Sequence, residues 1–181
     1  TQGAVCSVTT QCTGQVDPQH ALRRNAAQIG DDVYVTGDLG LSRYAYERMA
    51  QHASNPHNDL LKEAQKKLHW PQPHVALGQA LSTVAHACLD ISDGLIGDIV
   101  HVCQASNVGI VLDSDAIPVA PMLTQYGMSA YQSLALAIYS GDEYELCWTA
   151  PPSAKAAMAA LATQYGTAIT CIGQVVAGSN V

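Results

Sequence analysis

Leu89-Asp90-Ile91-Ser92-Asp93-Gly94-Leu95 sets two carboxylates and a hydroxyl at the point where a run of strand character gives way to one of helical character. Upstream, Ala85-His86-Ala87-Cys88-Leu89-Asp90-Ile91 is a short, weakly alternating apolar run of strand length. Downstream, Leu95, Ile96, Ile99, Val102 and Cys103 recur at helical spacing, which predicts a helix beginning at Ser92 or Asp93. Either residue is a good N-cap, and Gly94 lets a ligand approach the backbone closely. A helix start presents free N–H groups and a positive dipole end, which suit phosphate, while Asp90 and Asp93 offer oxygens to a hard cation. Two carboxylates suffice for magnesium, which keeps several waters and takes further ligands from phosphate oxygens. The plainer alternative makes Asp93 a simple N-cap and Asp90 a surface residue at a strand end.

Working outward, strand and helix patterns alternate from Gly30 onward. Val33-Tyr34-Val35-Thr36-Gly37 is β-rich, and helical spacing runs from Leu39 to Ala53 and from Asp59 to Trp70. Trp70-Pro71-Gln72-Pro73-His74 breaks the pattern, because proline excludes helix there, and Val75 to Val84 resumes it. His74 reads either as a cation for phosphate or as a surface histidine at a helix start. Beyond the organising turn, Val108 to Asp113 reads as a strand, Ile117-Pro118-Val119 as an extended edge segment and Ser129 to Tyr139 as a helix closed by Gly141.

A second acidic cluster, Asp142-Glu143-Tyr144-Glu145, opens a strand expected from Tyr144. Asp142 and Glu143 then lie at its entry, either as exposed charges or as partners for a cationic ligand or a metal-bound water. Ser153 to Tyr165 is an alanine-rich helix capped by Ser153 and stopped by Gly166, followed by a strand from Ala168 to Val175 and a flexible tail. Near the start, residues 3–13 alternate as a strand that would complete a sheet elsewhere, and Arg23-Arg24 reads as a solvated pair on composition alone. The alternation predicts an α+β (α/β layered) fold: a mixed sheet with helices packed on it.

Composition bounds the function. In 181 residues, 48% hydrophobic and 13% charged describe a folded domain, and a net charge of -7 argues against a nucleic-acid or anionic-membrane surface. The lysines at 62, 66 and 67 read as the exposed side of one helix, not as a basic patch. No apolar run approaches the ~20 residues of a membrane span. The six cysteines form no CxxC pair and read as reduced thiols. His101 and Cys103, two apart on a helix, point to nearly opposite sides and cannot chelate one zinc.

Several segments carry a resemblance. Leu22-Arg23-Arg24-Asn25-Ala26, Gly30-Asp31-Asp32-Val33-Tyr34-Val35-Thr36-Gly37, Pro71-Gln72-Pro73-His74, Asp90-Ile91-Ser92-Asp93-Gly94-Leu95, Ser140-Gly141-Asp142-Glu143-Tyr144-Glu145-Leu146 and Cys171-Ile172-Gly173 follow one another in the order of a known family. The chain resembles the C-terminal domain of thiamine-monophosphate kinases, of the aminoimidazole ribonucleotide synthetase-like superfamily. The resemblance implies a cytoplasmic enzyme that moves the γ-phosphoryl of ATP to thiamine monophosphate with Mg2+. It further implies that Asp90 and Asp93 bind magnesium, that Ser92 and Arg24 contact ATP, that Asp93 and Arg24 serve catalysis, and that Asp142 faces the thiamine substrate.

The sequence departs from the family at His74, where arginine is usual, at Gly40-Leu41, where the family has Gly-Asp, and at Ser140, where it has a second glycine. By the same resemblance, residues 1–17 are the last strand and linker of an N-terminal ATP-binding domain, and residues 18–181 are the C-terminal domain, shortened at its end. The family dimerises through the N-terminal domain, so a homodimer is expected of the full-length protein and no kinase activity of this chain alone. Two alternatives are another ATP-using enzyme of the superfamily, of selenophosphate or aminoimidazole ribonucleotide synthetase type, and a non-catalytic ligand-binding module.

Overall fold

Val33, Val35, Cys147, Ile172 and Val175 point to one side of a sheet, and Tyr34, Trp148 and Ala150 point to the other, both sides buried. Two covered faces require helices on both, which the computed structural model of the chain shows for the residues it describes, 8–50 and 59–178. The strands are β1 (Asp32–Thr36), β2 (Ala87–Asp90), β3 (Gly109–Leu112), β4 (Leu146–Ala150) and β5 (Ile169–Val176), in the order β2-β4-β1-β5-β3. Each pairing in that order is antiparallel. The expected mixed sheet is therefore corrected to an antiparallel one, since among the described residues parallel pairing is confined to the isolated bridges Arg23 to Ala87 and Leu39 to Val119.

The helices are α1 (Leu41–Ala50), α2 (Asp59–His69), α3 (Val75–Leu81), α4 (Leu95–Ser106), α5 (Pro121–Gln125), α6 (Ala130–Tyr139) and α7 (Lys155–Tyr165). On one face of the sheet α4 contributes Leu95, Ile99, Val102 and Cys103, with Ala137 of α6. On the other, Leu77 and Leu81 of α3 and Met158 of α7 cover Tyr34 and Trp148. Those two rings stack with centroids 5.7 Å apart, an aromatic pair that adds about 1 kcal/mol to its area burial. The helices α1, α2 and α5 form a separate cluster around Tyr44, Leu60, Leu61 and Leu123.

Several local expectations are revised. Residues 8–13 join no strand of this sheet, while residues 3–7 lie outside the described residues, as do the ends of the expected helix at 51–53 and of the tail at 179–181. Pro118 accepts from the N–H of Leu39 at 2.8 Å and Val119 bridges Leu39, so the extended segment at 117–119 pairs outside the five-stranded sheet. Ser153 sits in a 3-10 turn, Pro152–Ala154, and the following helix α7 has no side-chain cap. Ser129 and Gln132 form a reciprocal capping box on α6. The five described cysteines are free thiols.

Candidate active site

The organising turn emerges from β2 and enters α4, but the helix begins at Leu95, later than expected. Its N-cap is Gly94 with φ 111°, a conformation that excludes other residues, and no side chain caps it. Neither Ser92 nor Asp93 is the cap. Asp98, buried in the first turn of α4, reaches back, and its Oδ2 accepts from the N–H groups of Ser92 at 2.9 Å and Asp93 at 3.0 Å. The N–H groups of Ser92 and Asp93 are thereby spent, and those at the start of α4 itself remain for an anion. Burial raises the pKa of Asp98, and the two N–H donors oppose that rise.

The second acidic cluster is zipped onto this turn through backbone bonds. The N–H of Ile91 donates to Glu145 O at 2.8 Å, that of Tyr144 to Ile91 O at 2.9 Å and that of Asp142 to Ser92 O at 2.9 Å. Gly141 makes the approach possible, since a Cβ there would lie 2.7 Å from Ser92 O. It is not the left-handed glycine expected after α6, because the cap of that helix is Ser140 in an extended conformation. The consequence is a shared surface: Asp90, Asp93 and Asp142 are all exposed, and all three act on the Tyr144 hydroxyl. That hydroxyl donates to Asp142 Oδ1 at 3.1 Å, and this bond, with partial burial and the three charges, raises its pKa.

Even and odd positions of this segment part company. Asp142 and Tyr144 face out, whereas Glu143 and Glu145 are 1% and 4% exposed. Glu143 is therefore no exposed strand-end charge. Its Oε1 accepts from the N–H of Gly40 at 2.8 Å, the N–H of Ser42 at 3.3 Å and the Ser140 hydroxyl at 2.5 Å, which caps α1 from a distant segment. Burial pushes its pKa up.

Glu145 is equally enclosed, and desolvation alone would raise its pKa. His74 at 2.7 Å, the Lys67 ammonium and the Thr36 hydroxyl at 2.5 Å outweigh that cost and bring it down to about 2. Lys67, expected on an exposed helix side, turns inward with its side chain 22% exposed and also stands 3.8 Å from Glu143 Oε2. His74, neither free nor fully exposed, is engaged by this carboxylate.

Beside Asp142 opens a cavity of about 310 Å³ lined by Ser42, Arg43, Tyr46, Gly141 and Asp142. Asp93, Asp98 and His101 place ligand atoms within 4.8 Å of one another, an arrangement the expected pair Asp90 and Asp93 did not anticipate. Two of these three donors are carboxylates, which fit a hard divalent cation. Arg24 is not brought into this group. Its carbonyl accepts from Ser106 at the far end of α4, a helix of 12 residues and thus about 18 Å long.

Asp98 had a legible signal, an acid in the first turn of a predicted helix. Lys67, Glu143 and the pairing of His74 with Glu145 had none, because their partners lie 71 to 103 residues away or on another element.

Residues 28–181 match the family described as AIR synthase related protein, C-terminal domain. A thiamine-monophosphate kinase of Salmonella typhimurium is 35% identical over 169 residues, covering 93% of this chain and 51% of that protein. The crystal structure of thiamine-monophosphate kinase from Stenotrophomonas maltophilia K279a superposes with a TM-score of 0.85 at 36% identity, over 92% of this chain and 54% of that one. AaThiL complexed with AMPPCP and TMP gives a TM-score of 0.72 at 25% identity, over 88% and 50%. The chain spans about half the length of these relatives.

Proposed function

As the chain belongs to the C-terminal domain family of AIR synthase related proteins, we propose that it is the C-terminal part of a kinase that phosphorylates thiamine monophosphate with ATP. The product is thiamine diphosphate. The observation that carries this reading is the backbone zipper between residues 91–92 and 142–145, which gathers Asp90, Asp93 and Asp142 around the Tyr144 hydroxyl. The similarity to proteins named thiamine-monophosphate kinase supports it, as does AaThiL with AMPPCP, an ATP analogue, and TMP, read as thiamine monophosphate.

Asp90 and Asp93 hold Mg2+ in this reading, and the metal offsets the negative charge of the phosphoryl oxygens. Ser92 and the uncapped start of α4 receive nucleotide phosphate. Asp142, at the wall of the cavity, draws the cationic ring of the acceptor. An oxygen of the acceptor's phosphate forms the new bond to the γ-phosphorus while the bond to the β,γ-bridging oxygen breaks, and ADP leaves. That attacking oxygen is already anionic, so no general base is required and positioning with charge neutralisation carries the step. Arg24, anchored at the other end of α4, contacts the nucleotide away from the transferred group and touches no reacting atom.

Residues 1–17 then belong with a preceding ATP-binding domain and residues 18–181 with this one. The full-length enzyme is a cytoplasmic homodimer. No helix among the described residues is long and apolar enough to cross a membrane.

The test is steady-state kinetics of the full-length protein with ATP and a panel of phosphate acceptors. Thiamine diphosphate is the expected product, and Asp93→Asn is expected to lower kcat at least ~100-fold, the scale of losing one preorganised charge contact. Transfer to another acceptor, or full activity of Asp93→Asn, refutes the reading.

A further inference from the structure

Charge neutralisation explains Asp90, Asp93 and Asp142 but not the two residues that follow Asp142. Asp142 and Tyr144 have φ of 56° and 53°, in the left-handed region that residues with side chains avoid. Between them Glu143 is buried, an expensive place for a carboxylate with no part in the chemistry. One of its oxygens binds Gly40, Ser42 and Ser140, while the other has no hydrogen-bond partner. So unfavourable a segment persists only where its surroundings over-determine it.

We propose that Glu143 and Tyr144 are positioning residues for Asp142, forming a two-point clamp that fixes its carboxylate at the wall of the 310 Å³ cavity. Glu143 ties the backbone of the turn to the first turn of α1, which itself supplies Ser42, Arg43 and Tyr46 to that cavity. Tyr144, through its hydroxyl, selects the orientation of the Asp142 side chain. The clamp thereby sets the distance between the acid and the Tyr46 ring, two groups that suit a cationic heteroaromatic ring. Its catalytic consequence rests on the reading of Asp142 as the contact to the phosphate acceptor.

A double-mutant cycle in the full-length enzyme tests the consequence. Tyr144→Phe is expected to raise KM for thiamine monophosphate about fivefold and Glu143→Ala about tenfold, with kcat and KM for ATP within about twofold. In an Asp142→Ala background both effects should shrink below about twofold, which a merely structural role would not produce. Equal factors in both backgrounds, or an unchanged KM in Tyr144→Phe, overturn the proposal. Tyr144 is partly exposed, so its phenylalanine variant carries the test where Glu143→Ala does not fold.

Amide hydrogen exchange of the ligand-free protein separates the clamp from the kinase reading. Glu143→Ala should speed exchange at Asp142 and Tyr144 at least ~10-fold, by opening the bonds to Ser92 and Ile91. Unchanged protection in a folded variant overturns the clamp. A clamp intact by exchange in an enzyme that leaves thiamine monophosphate untouched overturns the kinase reading alone.

Discussion

Among the described residues, Lys67 is the ammonium set against two buried carboxylates, Glu143 and Glu145. Removing Lys67 leaves Glu143 with hydrogen bonds alone and Glu145 with His74 as its cation, so Lys67→Met is expected to destabilise the fold by about 3 kcal/mol, the low end of breaking a buried pair, read from urea denaturation. Glu145 also makes stability depend on pH. Its carboxyl titrates at about 2 when folded against 4.5 in an open chain, so the unfolded state binds more protons between those values. The stability it contributes is present above 4.5 and is lost as pH falls toward about 2. Glu143, with its pKa raised, has the opposite sign: what it contributes is present at low pH and is lost as pH rises through its folded value. Urea midpoints of the wild type and Glu145→Gln should therefore converge on acidification below pH ~4.5; a gap that stays constant contradicts the assignment.

At the scale of elements, two contacts join the acidic turn to its neighbours. Asp98 satisfies two N–H groups of the turn from within α4, and Asp98→Ala leaves both without a partner. The expected loss is about 1–3 kcal/mol in denaturant unfolding, with Asp98→Asn losing less because its carbonyl still accepts. Gly141 is the second contact. A methyl group there meets the carbonyl oxygen of Ser92 at 2.7 Å, a backbone atom that yields little. Gly141→Ala is expected to destabilise by about 1–3 kcal/mol and to part the two acidic segments, so thermal unfolding and acceptor KM should worsen together. A glycine just past a helix has two possible reasons, a left-handed cap or a close approach. Nothing in Ser140-Gly141-Asp142 distinguishes them until the other backbone is in place.

For the whole molecule, the antiparallel sheet with helices on both faces holds the acidic turn at one end of β2 and α4 and Arg24 at the other. The chain spans about half the length of its relatives, and the proposed phosphoryl transfer needs the nucleotide from the remainder. The 181-residue chain alone is accordingly expected to form no ADP steadily from ATP and thiamine monophosphate in a coupled assay, while the full-length protein does. Sustained turnover by the chain alone contradicts that division of labour.

Periodicity sufficed for β1, α2, β3 and α6, because each of these elements shows its period within a few residues. That Asp90, Asp93 and Asp142 lie at the ends and turns of elements was legible for the same reason, being local in the chain. Tertiary structure alone decided which acids face out and which lie buried, and that Lys67 and His74 serve Glu145. It also decided that α4 starts at Leu95, and that two distant turns are bonded through their backbones. Those outcomes depend on partners far away in sequence, and a linear pattern carries no term for the hydrogen bonds and desolvation that such meetings impose.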